Sequence, residues 1–259
     1  RNQRNGYNLL FRCVAETLQE LARDKKYLGA NIGHTAILHT WGQNLCFHPH
    51  IHCIVPSGGL TALGKWQSSR KKFFLPVRVL SRKFRGKFLA LLKRQIPDID
   101  QNLLNQCYQK EWVVYCKPPF KNAACVVEYL GRYTHRVAIS NNRILKIENG
   151  TVTFKWRDYR DSSRWKLMTL DVNEFIRRFM MHVLPAGFTK IRHYGFLSSR
   201  GKQKKLKICK IQTDTGLQKK EKLSTEQLIQ KLIGRKPSQC PCCGYSGLLR
   251  TGLSPPGNQ

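Results

Sequence analysis

His48-Pro49-His50-Ile51-His52 places three of the chain's eight histidines within five residues. Side chains on an extended strand alternate faces with a period of two, so all three imidazoles point the same way. Leu45, Cys46 and Phe47 lead into the stretch, and Cys53, Ile54 and Val55 lead out of it. Pro56-Ser57-Gly58-Gly59 then stops the run. Neutral imidazole is a favoured ligand for divalent metals, and two on one rigid strand form half of a site. A lone histidine on a half-buried strand is usually a hydrogen-bonded structural residue. A His-x-His pair with a third histidine beside it moves the balance to a metal site centred on His50 and His52.

Upstream, residues 34–40 read as a strand, and Trp41-Gly42-Gln43-Asn44 reads as a turn. Residues 34–40 are therefore expected to pair antiparallel with 45–55. That arrangement makes Gln43, His48 and His39 the candidates for a third ligand, with Pro49 able to bend His48 away or hold it on an edge. Downstream, residues 122–133 read as a helix, with Tyr129 and Tyr133 one turn apart on one face. Such a pair can simply pack on a sheet. The neighbouring Arg132 and Arg136 argue for more, because a nucleophile attacking a phosphodiester needs positive charge close by.

Charge narrows the partner. Lys and Arg number 46 against 15 Asp and Glu, a net charge of +31 in 259 residues. A polyanion is the economical counterpart of such an excess, and nucleic acid is favoured over a membrane surface. No run of about 18 apolar residues and no signal peptide is visible, so a soluble intracellular chain is expected. A chain of this length fits one large domain, or one domain with a tail.

The remaining segments supply the scaffold. Residues 8–23 form an amphipathic helix pattern through Leu10, Val14, Leu18 and Leu21. Residues 78–95 form another, with Arg82, Lys83, Arg85, Lys87, Lys93 and Arg94 on its outer face and no acid among them. That face leans towards phosphate contact. Residues 112–116 read as a strand. Residues 137–140, 143–148 and 151–156 read as a meander, with Asn141-Asn142 and Asn149-Gly150 as turns. Residues 165–170 read as a further strand. Asp171 and Glu174 make a capping-box-like start for a helix over 172–184, which Pro185 ends. Lys190-Ile191-Arg192-His193-Tyr194-Gly195-Phe196 mixes cations with rings, as a nucleic-acid groove does. Arg192, His193 and Tyr194 are therefore DNA-binding candidates. Cys13, Cys107, Cys116 and Cys125 read as reduced core residues. Cys240 and Cys243 have the spacing of half a zinc knuckle, with no second Cys-x-x-Cys in the chain.

Taken together, these motifs resemble the rolling-circle insertion-sequence transposases of the two-tyrosine HUH superfamily. His50-Ile51-His52 matches the His-hydrophobic-His motif. The resemblance extends over His39-Thr40-Trp41-Gly42-Gln43-Asn44, residues 74–81, Tyr129 to Ser140 and Ile191 to Gly195, and spans about residues 8–200. It implies an α+β fold, an antiparallel central sheet carrying the histidines with helices packed on it. It implies a catalytic domain over 1–200 and a basic tail with a Cys-x-x-Cys element over 201–259. The activity implied is cleavage and joining of single-stranded DNA through a 5′-phosphotyrosine, with Tyr129 and Tyr133 as nucleophiles. His50 and His52 would hold Mg²⁺ or Mn²⁺, Arg132, His135 and Arg136 would meet phosphate, and a structural zinc ion would sit at Cys240 and Cys243. A bacterial cytoplasmic, nucleoid-associated protein is expected, with DNA as partner and neither membrane nor small-molecule substrate. The family begins with a cysteine-rich zinc-binding segment and a first core strand, neither of which precedes residue 8; with Arg1 in place of Met, a truncated chain is expected. Two rivals share these residues: a non-catalytic nucleic-acid-binding module, and a hydrolytic metal-dependent phosphodiesterase.

Overall fold

The computed structural model describes residues 3–70, 75–134, 138–159, 161–215 and 224–234, with Lys236, Gln239, Cys240 and 242–245. Arg132, Tyr133, Thr134, Ile229, Leu232 and Ile233 are described by backbone alone. In order, the elements are α1 (Gln3–Arg23), β1 (His34–Trp41), β2 (Phe47–Ile54), β3 (Gly58–Leu60), β4 (Trp66–Ser68), α2 (Val77–Gln95), α3 (Gln101–Gln109) and α4 (Ala123–Thr134). Then come β5 (Ile144–Glu148), β6 (Thr151–Asp158), β7 (Arg164–Asp171), α5 (Val172–Met180), β8 (Ile191–Tyr194), α6 (Lys202–Gln212) and α7 (Thr225–Ile233). The class is α+β with antiparallel sheets, as expected. The chain divides into two units, Arg1–Thr215 and Gly216–Gln259.

In the first unit, β1 is the middle strand of a three-stranded antiparallel sheet ordered β2-β1-β8. Its two faces do different work. Ala36 and Leu38 point to one side, where they pack with Tyr7 and Phe11 of α1. Ile37 and His39 point to the other, opposite His52 and His50 of β2. β2 is an edge strand in this sheet, the position where Pro49 costs no ladder bond. A second core joins Leu18, Leu21 and Ala22 of α1 to Leu75 and Leu80.

Two of the six cations on the outer face of α2 are met by acids of α1. Lys83 and Lys87 reach Glu20 of α1 at 2.5 and 2.8 Å, and Arg85 donates to the Lys110 carbonyl at 2.7 Å. The missing acids are supplied by another helix, which sequence-local reasoning does not see. Among the described residues, 112–116 pair with no strand. They run as an extended arm fixed by side chains instead: Trp112 lies 5.4 Å from both Phe84 and Phe88. Of the expected strand 137–140, Val137 lies outside the described residues and 138–140 are not strand. Ala138 is buried at φ +26°, which breaks extension.

The meander forms a separate sheet, β5-β6-β7. Asn149 and Gly150 take φ +46° and +72°, the paired left-handed conformations of a tight hairpin turn. Asn141–Arg143 is a turn of 3₁₀ helix. Asp171 caps α5 by accepting from the Asn173 N–H at 2.8 Å, while Glu174 turns forward to Arg177 and Arg178. α5 ends at Met180, short of the expected 184. α6 packs through Cys209 and Leu206 onto Phe196 and Leu60, within the first unit.

The two sheets meet at the hairpin loop between β1 and β2. Arg143 donates to the Gln43 carbonyl, Arg178 to that of Asn44 at 3.4 Å, and His182 Nε2 to that of Leu45 at 3.1 Å. Three consecutive carbonyls are thus held by three basic side chains. Leu45 itself takes φ +62° and is fully buried with Phe154. In the second unit, α7 opens on a capping box between Ser224 and Gln227. Among the described residues, no cysteine is in a disulfide.

Candidate metal and nucleophile site

The strand register brings three imidazoles together. His39 on β1 is the direct partner of His50 on β2, and His52 is opposite Ile37 one step along the same face. The ligand nitrogens of His39, His50 and His52 all lie within 4.8 Å of one another. His50 Nε2 is 3.2 Å from His39 Nδ1 and 3.0 Å from His52 Nε2. Nitrogens bound to one cation at about 2.1 Å sit about 3.0–3.4 Å apart, so the trio is spaced as a ligand set. Among the described residues it is the one group of this kind.

The protonation pattern suits a cation. His50 Nδ1 donates to the His48 carbonyl at 2.7 Å, which leaves the Nε2 lone pair facing its neighbours. Burial, and then the neighbouring imidazoles, push His39 down to about 3. Burial likewise takes His52 down to about 4, with His50 and Lys117 adding to it, and lowers His50. All three are neutral near pH 7, the form that binds metals.

Of the three candidates for third ligand, His39 is the one whose ring nitrogen groups with those of His50 and His52. The Gln43 amide donates to the Tyr159 hydroxyl at 3.4 Å instead. His48 is exposed; its ring lies 4.9 Å from that of His50, and its carbonyl accepts from His50 Nδ1. A hairpin bulge between His39 and Trp41 moves the loop out of register, so Gln43 ends beside the second sheet.

α4 crosses this face. Asn122 accepts from the Cys125 N–H at 3.0 Å and starts the helix. Two turns on, the Tyr129 hydroxyl is 2.8 Å from His52 Nδ1. Its ring packs on Phe120 at 5.3 Å, an aromatic wall from the preceding arm. Tyr133 lies one turn further along α4; its side chain, that of Arg132, and all of His135 and Arg136 lie outside the described residues.

The trio at β8 splits. His193 pairs with Thr35 and shares the imidazole face, where its Nδ1 is 2.9 Å from the Thr35 hydroxyl. Arg192 and Tyr194 point the other way, towards α1. The Arg192 guanidinium lies 4.2 Å over Phe11 and donates to Asn8 at 2.6 Å. Tyr194 stacks on buried His34 at 4.9 Å. Period-two alternation, applied within Ile191–Tyr194, separates these three. Two cations that sequence reasoning did not single out stand near the cluster. Lys190 Nζ is 5.2 Å over Trp41, whose ring is 4.0 Å from that of His39. Burial lowers the Lys190 ammonium. Lys117 bears electrostatically on His52.

In the second unit, the Cys240 N–H donates to the Tyr245 carbonyl at 2.8 Å and Gly244 returns a bond to Cys240 at 3.0 Å. Backbone N–H groups of Cys242 and Cys243 lower the Cys240 thiol, a turn that favours thiolate.

A family described as "Putative transposase" (Y2_Tnp) matches residues 33–205. The "Putative transposase y4qJ" of Sinorhizobium fredii (strain NBRC 101917 / NGR234) is 46% identical over 264 aligned residues, covering 94% of this chain and 66% of that protein. The "Transposase for insertion sequence element IS801" of Pseudomonas savastanoi pv. phaseolicola is 30% identical over 206 residues, covering 74% of this chain and 48% of that protein. The chain therefore spans just under two thirds of the first relative's length and just under half of the second's. No solved structure matches.

Proposed function

Because the chain belongs to the Y2_Tnp transposase family, we propose that it cleaves and rejoins single-stranded DNA through a covalent tyrosine link, in rolling-circle transposition. The observation that carries this reading is the 2.8 Å bond between the Tyr129 hydroxyl and His52, a member of the imidazole trio. A divalent cation held by His39, His50 and His52 would polarise the scissile phosphate as a Lewis acid, with Mn²⁺ better suited than Mg²⁺ to imidazole.

The chain's own residues supply the rest. With a cation on His52 Nε2, the ring proton would rest on Nδ1, so that the bond to Tyr129 would run from imidazole to phenolic oxygen. That hydrogen bond favours the phenolate, the attacking form. The Tyr129 oxygen, its proton passed to solvent, bonds to phosphorus as the bond from phosphorus to the 3′-oxygen breaks. The leaving oxygen takes a proton from solvent and becomes a free 3′-hydroxyl. Phe120 fixes the Tyr129 ring, and Lys190 and Lys117 add the positive charge a phosphodiester requires. The phosphotyrosine conserves the bond for a second transfer, with Tyr133 as the second nucleophile and Arg132, His135 and Arg136 as phosphate contacts. The HUH-type fold and a zinc ion at Cys240 and Cys243 belong to the same reading. So do a DNA-bound location, and a boundary near residue 200 between catalytic domain and basic tail. Among the described residues no helix is long and apolar enough to cross a membrane.

The test is incubation with labelled single-stranded DNA from the element's ends and Mn²⁺, read on a denaturing gel. A denaturant-resistant adduct mapped by mass to Tyr129 or Tyr133 is expected. Free ends without adduct would mean hydrolysis, and binding without cleavage would mean a DNA-binding module.

A further inference from the structure

The outward face of the β5-β6-β7 sheet has a composition that folding does not explain. Its inward face carries buried Val152, with Phe154, Met168 and Leu170 in one cluster with Phe175 and Phe179 of α5. The outward positions of such a sheet normally face water and are polar. Here Trp165 is 59% exposed and Leu167 67%, side by side on one face of β7, and Tyr159 just past β6 is 65% exposed. Large apolar groups gathered on one open face mark an interaction surface.

Cations alternate with these rings. Arg157 is the direct cross-strand partner of Trp165, and Lys155 that of Leu167. The Arg157 guanidinium lies 6.0 Å over the Tyr159 ring, and Lys155 Nζ lies 5.9 Å over that of Trp165. Among the described residues, neither Lys155 nor Arg157 is in an ion pair, whereas Lys146 on the same face pairs with Glu148. Rings for bases interleaved with cations for phosphates make up a single-strand binding platform. A second copy of this chain would set cation against cation there, and the charge of +31 argues the same way. The track ends at the catalytic hairpin, where the Tyr159 hydroxyl accepts from Gln43.

We propose that this face is a binding site for single-stranded DNA, with Trp165 and Tyr159 stacking bases and Lys155 and Arg157 holding phosphates of the strand flanking the cleavage point. The last clause rests on the strand-transfer reading above; the binding itself does not.

The probe is a fluorescent oligothymidylate of about 20 nucleotides, titrated by anisotropy into the full 259-residue chain. Trp165→Ala is expected to weaken binding about 5- to 50-fold and Trp165→Phe to retain most of it, as stacking requires. Thermal melting checks that both variants fold. The same oligonucleotide should quench indole fluorescence in the parent and less so in Trp165→Ala. Unchanged affinity in folded Trp165→Ala overturns the proposal. So does loss of self-association by sedimentation in place of loss of DNA affinity, which would make the face a protein interface. The adduct assay on the parent chain separates the two readings, because it does not depend on the Trp165 substitution. Weakened binding in Trp165→Ala with no adduct from the parent would leave the platform standing and remove the strand-transfer reading.

Discussion

The β2-β1-β8 and β5-β6-β7 sheets have three antiparallel strands each and show opposite uses of one exposed face. On the first, His39, His50 and His52 are half-buried under α4, and their basicity is suppressed. On the second, Trp165, Leu167 and Arg157 lie open, with Lys155 half-buried beside them. Chemistry on a phosphate needs lone pairs held at fixed spacing in a partly dry site. Holding a flexible strand needs solvated cations and accessible rings. The hairpin loop, gripped at Gln43, Asn44 and Leu45, joins these two environments.

This division can be broken by substitutions that strike one sheet only. The largest effect is expected from Tyr129→Phe combined with Tyr133→Phe, or from His50→Ala with His52→Ala. Adduct formation should fall by at least about 1,000-fold, while oligothymidylate affinity changes less than about 3-fold, since phosphate contacts dominate it. A parallel collapse of binding would show the two faces to be one site. Next, His39→Ala should raise the Mn²⁺ concentration for half-maximal cleavage about 10- to 100-fold. No change there would return the third position to Gln43 or His48. Lys155→Gln with Arg157→Gln should then weaken single-strand binding about 10-fold and flatten its salt dependence by about two phosphates. Cleavage at saturating DNA should persist.

The smallest effect concerns stability. His34 is buried beside Tyr194, with neither ring nitrogen bonded among the described residues. Burial holds it at about 4 against an ordinary 6.5. The unfolded chain therefore gains the proton first. Stability present above pH 6.5 is lost as pH falls towards 4, on the order of 2–3 kcal/mol for this group. His34→Phe should flatten that acid limb in thermal melts at pH 7, 5.5 and 4.5. An unchanged slope would assign the acid sensitivity elsewhere.

Local pattern carried much of the fold. Period-two alternation placed His50 and His52 on one face, Asn149-Gly150 marked a hairpin, and apolar stripes marked α1 and α2. It failed where the deciding contact came from a distant element. Residues 112–116 look like a strand but have no partner strand among the described residues, and side chains of α2 fix them instead. Lys83 and Lys87 of α2 look destined for phosphate until Glu16 and Glu20 of α1 are set beside them. Arg192 and His193 are neighbours in sequence but face opposite sides of β8.

The sequence alone determined the chemistry available: imidazoles at period two, tyrosines at helical spacing, and a cationic surplus. Residue type and local backbone period suffice for that. Only the tertiary structure decided that His39 completes the trio and that Tyr129 touches His52. It also decided that Trp165 stands open between cations. Those facts depend on strand register and on helix placement over a sheet, which long-range packing sets and local spacing leaves open.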